Sequence, residues 1–206
     1  MRPRKSKEPS KVGAYVITGL IIFLMVASAA SVMLYRQPAA NEFEYNGHIY
    51  TIDTKQGFYL TEIGKQTLRF TASPSSAFGV KTEPAAIALI KAGSALAVTF
   101  DPDDTDQLIY TDFARYELGS ILPNVISATI KSSTTYLLPV VGCANATVGM
   151  PVLEFRAAPI PGVRIGENPS CVIIEGNQTS LLLAKDALLY RYYGLLPDET
   201  LGNETA

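Results

Sequence analysis

The residues of this chain that could carry nucleophilic, redox or soft-metal chemistry are few: two cysteines, Cys143 and Cys171, and one histidine, His48. An imidazole-based triad would have to use His48, which sits beside Asn46-Gly47, a dipeptide typical of a hairpin turn, so an exposed turn histidine is the preferred reading. Two sulfurs and one imidazole are too few soft ligands for a structural zinc site, and no metal is expected. The chain contains no G-x-S-x-G, G-x-x-x-x-G-K-S/T, H-E-x-x-H or C-x-x-C, so those hydrolase, phosphate-loop, metalloprotease and thiol-redox signatures are missing and no cofactor is expected. Carboxylates are the remaining candidates. Asp101, Asp103, Asp104 and Asp106 have a cation-loop look, but Asp106 stands where an EF-hand needs glycine and Asp112 where it needs glutamate. Capping of the following helix by Asp103 or Asp104 is the better reading. Asp101 and Glu175 each end a predicted strand, and parallel neighbouring strands would bring them to one sheet edge, where open α/β sheets place sites. Solvated or capping roles are preferred for both, and no catalytic residue is assigned.

Positioning begins with the charge distribution. The net charge is -2, which gives no global case for nucleic acid. Arg2, Arg4, Lys5, Lys7 and Lys11 against Glu8 alone, however, make the first eleven residues strongly basic. From Val12 to Tyr35 no residue is charged, and about 20 apolar residues suffice for a helix to cross hydrocarbon. Thr18, Ser28 and Ser31 can bond back to carbonyls one turn earlier, and Tyr15 and Tyr35 lie where interfacial aromatics are favoured. The basic flank precedes the span and Arg36 is the only positive charge close behind it, which keeps the N-terminus in the cytoplasm. Small residues around Ala27-Ser28-Ala29 resemble a signal-peptidase site, but the apolar run continues through Val32-Met33-Leu34-Tyr35, favouring an uncleaved anchor. The expected organisation is a basic cytoplasmic tail over 1–11, a transmembrane signal anchor over 12–35, a linker over 36–42, an exported α/β domain over 43–197 and a polar tail over 198–206. The protein is expected in the cell membrane as a single-pass chain with its C-terminal domain outside.

An even number of thiols in an oxidising compartment argues for a Cys143–Cys171 disulfide. Its loop of about 29 residues corresponds to roughly 3.6 kcal/mol in the chain-entropy picture. Three N-x-S/T triplets, at Asn145, Asn177 and Asn203, are candidate N-glycosylation sites. Asn177 could instead cap the helix that follows it and Asn145 could serve a turn or cap, whereas Asn203 lies in the polar tail.

The exported part reads as mixed α/β or α+β, with an antiparallel meander followed by strand-helix units. β-prone runs at 43–52, 58–63 and 67–71 are separated by Asn46-Gly47, Lys55-Gln56-Gly57 and Gly64-Lys65 turns. Residues 72–81 read as a loop, then Pro84 opens a short helix stopped by Gly93. Ala95–Phe100 is a strand entering a helix in which Leu108, Ile109, Phe113, Tyr116 and Ile121 are near helical spacing. Val125–Lys131 and Tyr136–Val141 are further strand candidates, followed by a strand through Val152, Leu153 and Phe155. AAPIPGVRIGENPS reads as a Pro/Gly-rich surface loop. Cys171–Gly176 is a buried strand leading into a helix with Leu181, Ala184, Leu188 and Tyr192 on one face, ended by Gly194 and Pro197.

The segments VTFDPDD, CANAT, PVLEF, SCVIIEG and AKDALLYRYYGL together resemble a pattern in small uncharacterised single-pass membrane proteins of archaea. The resemblance covers about half the chain, from Ala95 to Leu195, and departs from the pattern at Ala187, where Arg would be favoured after Asp186. It implies an exported, disulfide-bearing α/β domain and carries no functional residue. The expected role is that of a membrane-anchored interaction or accessory protein, whose partners are the membrane and another membrane or envelope protein. The alternative is an exported hydrolase or ligand-binding enzyme using carboxylates at strand ends, Asp101 and Glu175 foremost.

Overall fold

The computed structural model describes residues 11–34 and 41–197, which fall in two compact units divided after Ala40. The basic tail before Lys11, Tyr35, Arg36 and the polar tail with Asn203 lie outside the described residues. The first unit is helix α1, Lys11–Leu34, about 36 Å long at 1.5 Å per residue. Its described apolar side chains, among them Ile17, Leu20, Phe23 and Met25, are all at least half exposed. The Ser28 hydroxyl donates to the Met25 carbonyl at 2.9 Å, the back-bond expected of a hydroxyl in an apolar helix. Among the described residues no helix is long and apolar enough to cross a membrane.

The second unit is mixed α+β. Strands β1 (Glu42–Tyr45), β2 (His48–Asp53), β3 (Phe58–Ile63) and β4 (Gln66–Phe70) form the expected antiparallel meander, in that order. Asn46 and Gly47 both have positive φ, 49° and 75°, the pair of left-handed residues that a two-residue hairpin matched to strand twist requires. His48 opens β2 opposite Tyr45 and is partly exposed. Phe43, Tyr50, Tyr59, Leu68 and Phe70 turn one face of the meander into the main core.

The six-stranded sheet has the order β5-β9-β10-β8-β6-β7, formed by β5 (Lys81–Thr82), β6 (Leu96–Phe100), β7 (Val125–Thr129), β8 (Val152–Ala157), β9 (Gly162–Ile165) and β10 (Cys171–Gly176). β7, β6, β8 and β10 run parallel, while β9 is antiparallel to β10. The helices are α2 (Pro74–Phe78), α3 (Pro84–Ala92), α4 (Leu108–Ile121) and α5 (Thr179–Tyr192). α5 packs against α2, α3 and α4 and against β9 and β10. It also meets the meander: the Tyr190 ring stacks on Phe70 at 3.8 Å and its hydroxyl donates to the Ala72 carbonyl at 2.9 Å. The order of layers is therefore meander, helices, six-stranded sheet.

Alternation along the parallel strands assigns the other sheet face. Val98, Phe100, Leu153, Phe155, Val172 and Ile174 belong to the main core with the helices. Ala97, Val152, Cys171 and Ile173 point the other way and are covered by Val141, Cys143 and Ala146. Handedness accounts for this. The chain goes outward from β6 to β7 through α4 and must then return past β6 to reach β8. Right-handed crossovers in opposite directions run over opposite faces, so the connection 130–151 covers the face the helices leave open.

Several expectations are corrected. Tyr136–Val141 is not a strand; it contributes one bridge, Thr129 with Val140, and Pro139, inside the segment, has no N–H to offer a longer ladder. Residues 72–81 are not a plain loop: Ser73 accepts from the Ser76 N–H at 3.2 Å and caps α2, and Lys81–Thr82 adds an edge strand. The Pro/Gly-rich excursion contains β9, which pairs on both sides between β5 and β10; its prolines, Pro159 and Pro161 before the strand and Pro169 after it, lie outside the ladder, where no N–H is lost. α4 is preceded by Gln107 with no side-chain cap, so neither Asp103 nor Asp104 caps it. Asn177 does not cap α5, whose N-cap position is Gln178.

Candidate functional site: a cleft at the carboxyl ends of β6 and β8

The change of winding direction after β7 makes β6 and β8 the pair at which connections leave to opposite sides. Ligands of open α/β sheets bind in the crevice this creates beyond the strand carboxyl ends. A cleft of about 280 Å³ lies there, lined by Phe100, Asp101, Asp104, Gln107, Thr111, Ile130, Glu154, Phe155, Arg156, Ala157 and Leu181. The lining is drawn from the ends of β6 and β8, the segment after β7 and the first turns of α4 and α5.

The charged groups are arranged by strand register. Glu175 is opposite Arg156, and Thr99 is opposite Glu154, so continuing each strand by two residues puts Asp101 in the same row as Arg156. With neighbouring strands ~4.8 Å apart, Asp101, Arg156 and Glu175 form a transverse row in which the cation separates two carboxylates. Each carboxylate is engaged by its own neighbour. Lys131, just beyond β7, holds Asp101 at 2.9 Å and Asp103 at 2.8 Å. Arg156 donates to Glu154 at 2.6 Å, and Arg164 of β9 donates to Glu175 at 2.6 and 3.0 Å. The ammonium of Lys131 thus occupies the position between Asp101 and Asp103 that a loop-bound cation would take.

Two carboxyls of the cleft are driven apart in acidity. Burial pushes Asp101 up, but the hydrogen bonds from Lys131 and the Asp103 N–H, with the lysine charge, outweigh it and hold it below the ordinary 3.8. Asp104 is raised above 3.8 by burial and by the negative charges of Asp101 and Asp106. At the far wall, Gln107 is buried; it donates to the Asn177 side-chain carbonyl and accepts from the Gln178 N–H at 2.7 Å. This clamp holds the start of α5 to the start of α4. Gly176 permits it: a Cβ there would lie 2.5 Å from the Leu181 nitrogen and 2.6 Å from its Cα.

The cysteines form the expected disulfide, Cys143–Cys171, which pins the crossover to β10. Their sulfurs and a Glu154 carboxylate oxygen all lie within 4.8 Å of one another. With both sulfurs bonded to each other, this trio is a covalent staple beside a carboxylate rather than a set of metal ligands. Asn145 is exposed and accepts from the Gly142 N–H at 3.0 Å, the turn-stabilising role anticipated as its alternative. Asn177 is exposed but its side chain is spent on Gln107. The structure brings Asp101 into the cleft and leaves Glu175 in the same row but outside the lining.

A second polar group was missed by sequence reasoning. Lys185 and Asp186 of α5 and Glu117 of α4 are buried. Lys185 bridges Glu117 and Asp186, Arg69 of β4 reaches Glu117 at 3.2 Å, and Asp186 Oδ2 accepts from the Thr71 N–H, the Thr71 hydroxyl and the Ala72 N–H at 2.7, 2.6 and 2.8 Å. Asp186 Oδ1 has no aligned hydrogen bond, yet lies 2.5 Å from the Lys185 ammonium; the ion pair is its compensation. A cleft of about 350 Å³ opens over Arg69 and Glu117. The available signal was a Lys-Asp pair inside an otherwise apolar helix, where buried charges demand partners.

No family model matches the chain, nor does any curated protein or solved structure. The functional reading therefore rests on the site itself.

Proposed function

We propose that this protein is a membrane-anchored accessory protein whose exported α+β domain binds another membrane or envelope protein through the carboxyl-end cleft. The observation that carries the reading is the cleft at the β6/β8 winding reversal, where Lys131 is already paired with Asp101 and Asp103 and Arg156 with Glu154. Such pairs orient and discriminate partners more than they add affinity. Anchoring by residues 12–35 is supported by the uncharged run and by the basic flank before it. The shortness of the linker over 36–42 then keeps the domain within reach of membrane-bound partners.

Two experiments test this. Alkaline carbonate extraction of membrane vesicles is expected to leave the chain in the pellet, and protease added to whole cells is expected to degrade the domain. Release by carbonate, or full protection, would remove the anchor. Photo-crosslinking residues placed separately at Ile160, exposed three residues beyond the cleft-lining Ala157, and Ile49, exposed on the meander, are expected to give a reproducible adduct in native membranes. Uncrosslinked monomer from both positions would remove partner binding.

A hydrolase is the second reading, favoured by one observation: Asp101 and Asp104 line one cleft, the first held below and the second above its ordinary range, the direction in which an acid–base pair is separated. It departs from the Asp101–Glu175 pair expected from sequence. It demands turnover of some ester, amide or glycoside that is lost in both Asp101→Asn and Asp104→Asn.

A further inference from the structure

We propose that the cleft receives a cationic side chain, arginine or lysine, presented on an aliphatic-rich segment of the exported partner. This deepens the partner-binding reading above and rests on it. Two sets of residues carry it, one electrostatic and one apolar.

The cations around the cleft are already committed: Lys131 to Asp101 and Asp103, and Arg156 to Glu154. Asp104, which lines the cleft, and Asp106, two residues on, make no ion pair among the described residues. The surplus at this end of the sheet is therefore negative, and an incoming anion would find both basic groups occupied. Burial and the negative charges of Asp101 and Asp106 hold the Asp104 carboxyl above its ordinary pKa, in line with that surplus. A cation entering there relieves it.

The rim supplies the second set. Ile109, Leu137 and Ile160 are 74, 94 and 76% exposed, and each follows the carboxyl end of a different parallel strand. Ile109 is two residues beyond Gln107 and Ile160 three beyond Ala157, both in the lining. Leu137 directly follows Tyr136, whose ring stands edge-on to Phe100 at 5.0 Å and whose hydroxyl is tied to Asp112 at 2.6 Å. Three large aliphatic side chains exposed beyond the carboxyl ends of three parallel strands, one in the first turn of α4 and two in connecting segments, offer apolar contact to whatever approaches this end of the sheet. At about 280 Å³ the cleft is slightly smaller than the ~300–1,000 Å³ usual for small-molecule pockets, and it suits one long side chain. A polar anchor ringed by apolar contacts that exclude water is the arrangement that concentrates interface energy.

The probes are four: a blocked peptide with one arginine flanked by leucines, the same peptide with glutamine or with glutamate in place of arginine, and free arginine. Each is titrated against the full-length protein in mild detergent, followed by amide chemical shifts or calorimetry. The arginine peptide is expected to bind at least tenfold more tightly than the glutamine peptide, with the glutamate peptide weaker still. Asp104→Asn with Asp106→Asn is expected to erase that preference, and Ile160→Asp to weaken all three peptides. Equal binding of arginine and glutamate peptides, no binding of any peptide, or an unchanged preference in the double asparagine variant would overturn the proposal. Free arginine binding as tightly as its peptide would make this a small-molecule site and overturn it too. Far-UV circular dichroism establishes that each variant is folded, and Gln66→Ala, remote from the cleft, is the control for changes unrelated to it. Failure here with a persistent crosslink from Ile49 would leave partner binding intact and move it to the meander; loss of both crosslinks would remove the broader reading.

Discussion

Replacing Asp186 by alanine is expected to be among the most damaging single substitutions in the domain. Its Oδ2 gathers three donors from the segment that leaves β4, and its charge offsets one half of the Lys185 environment. Alanine leaves two backbone N–H groups and a hydroxyl without their acceptor and Lys185 with Glu117 alone. Each buried donor left unpaired costs ~1–3 kcal/mol, and breaking a buried ion pair by removing one partner costs ~3–5 kcal/mol. Thr71 and Ala72 are only half-buried, so water can recover part of the first contribution and a loss of about 4 kcal/mol is expected. Asparagine retains an acceptor oxygen for the three donors but turns an amide N–H₂ toward the ammonium; a loss of about 2–3 kcal/mol is expected from the ion pair alone. The assay is urea unfolding of the full-length protein in mild detergent, followed by tyrosine fluorescence, with the midpoint and slope compared between variants. A loss below ~1 kcal/mol for alanine, the range of a surface ion pair, would refute the claim that this carboxylate fastens the meander to α5.

Reducing the disulfide, or Cys143→Ser, is expected to lower stability by roughly 3.6 kcal/mol at most, read from unfolding midpoints with and without dithiol; non-reducing peptide mapping should show the linked peptides containing Cys143 and Cys171. Gly176→Ala is expected to cost ~1–3 kcal/mol through the forced contact with Leu181, whereas Gly142→Ala, with open space around its Cβ position, is expected to shift the melting temperature little. Burial raises the phenols of Tyr50 and Tyr190 well above the ordinary 10.0. Because the folded state then holds protons that the unfolded state would release, the stability these groups contribute is complete below pH 10 and declines as pH rises beyond it. Their tyrosinate absorbance should therefore appear together with loss of far-UV signal, and ionisation before unfolding would contradict their burial.

Where local chemistry decided the structure, the sequence was readable. Asn46-Gly47 and Gly64-Lys65 punctuate the meander as expected, Pro84 and Gly93 bracket α3, and Gly194 closes α5 with φ of 70°. The failures belong to tertiary context. α5 was expected to bury one stripe through Leu181, Ala184, Leu188 and Tyr192, but residues 184–190 are buried without interruption, because the meander covers the side a two-layer domain would leave wet. β9 escaped notice because four residues between turn formers carry little pattern, and it is stable only because β5 and β10 flank it. Asp101 was placed correctly at a strand end, yet the cleft also needed Glu154, Arg156 and Gln107. Those residues come together through the strand order, which depends on the crossover between β7 and β8, and no local signal encodes that.

The grip of Asp186 on Thr71 and Ala72 spans 115 residues of chain, and it sets a schedule for synthesis. The aromatic side of the first four strands leaves the ribosome early, while the helix that shelters it emerges near the end. Until then Tyr50 and Phe70 have no lid, so nascent chains halted before residue 179 should be the ones that stick to each other or recruit holding chaperones, and completing that last helix is the event that makes the domain safe to release.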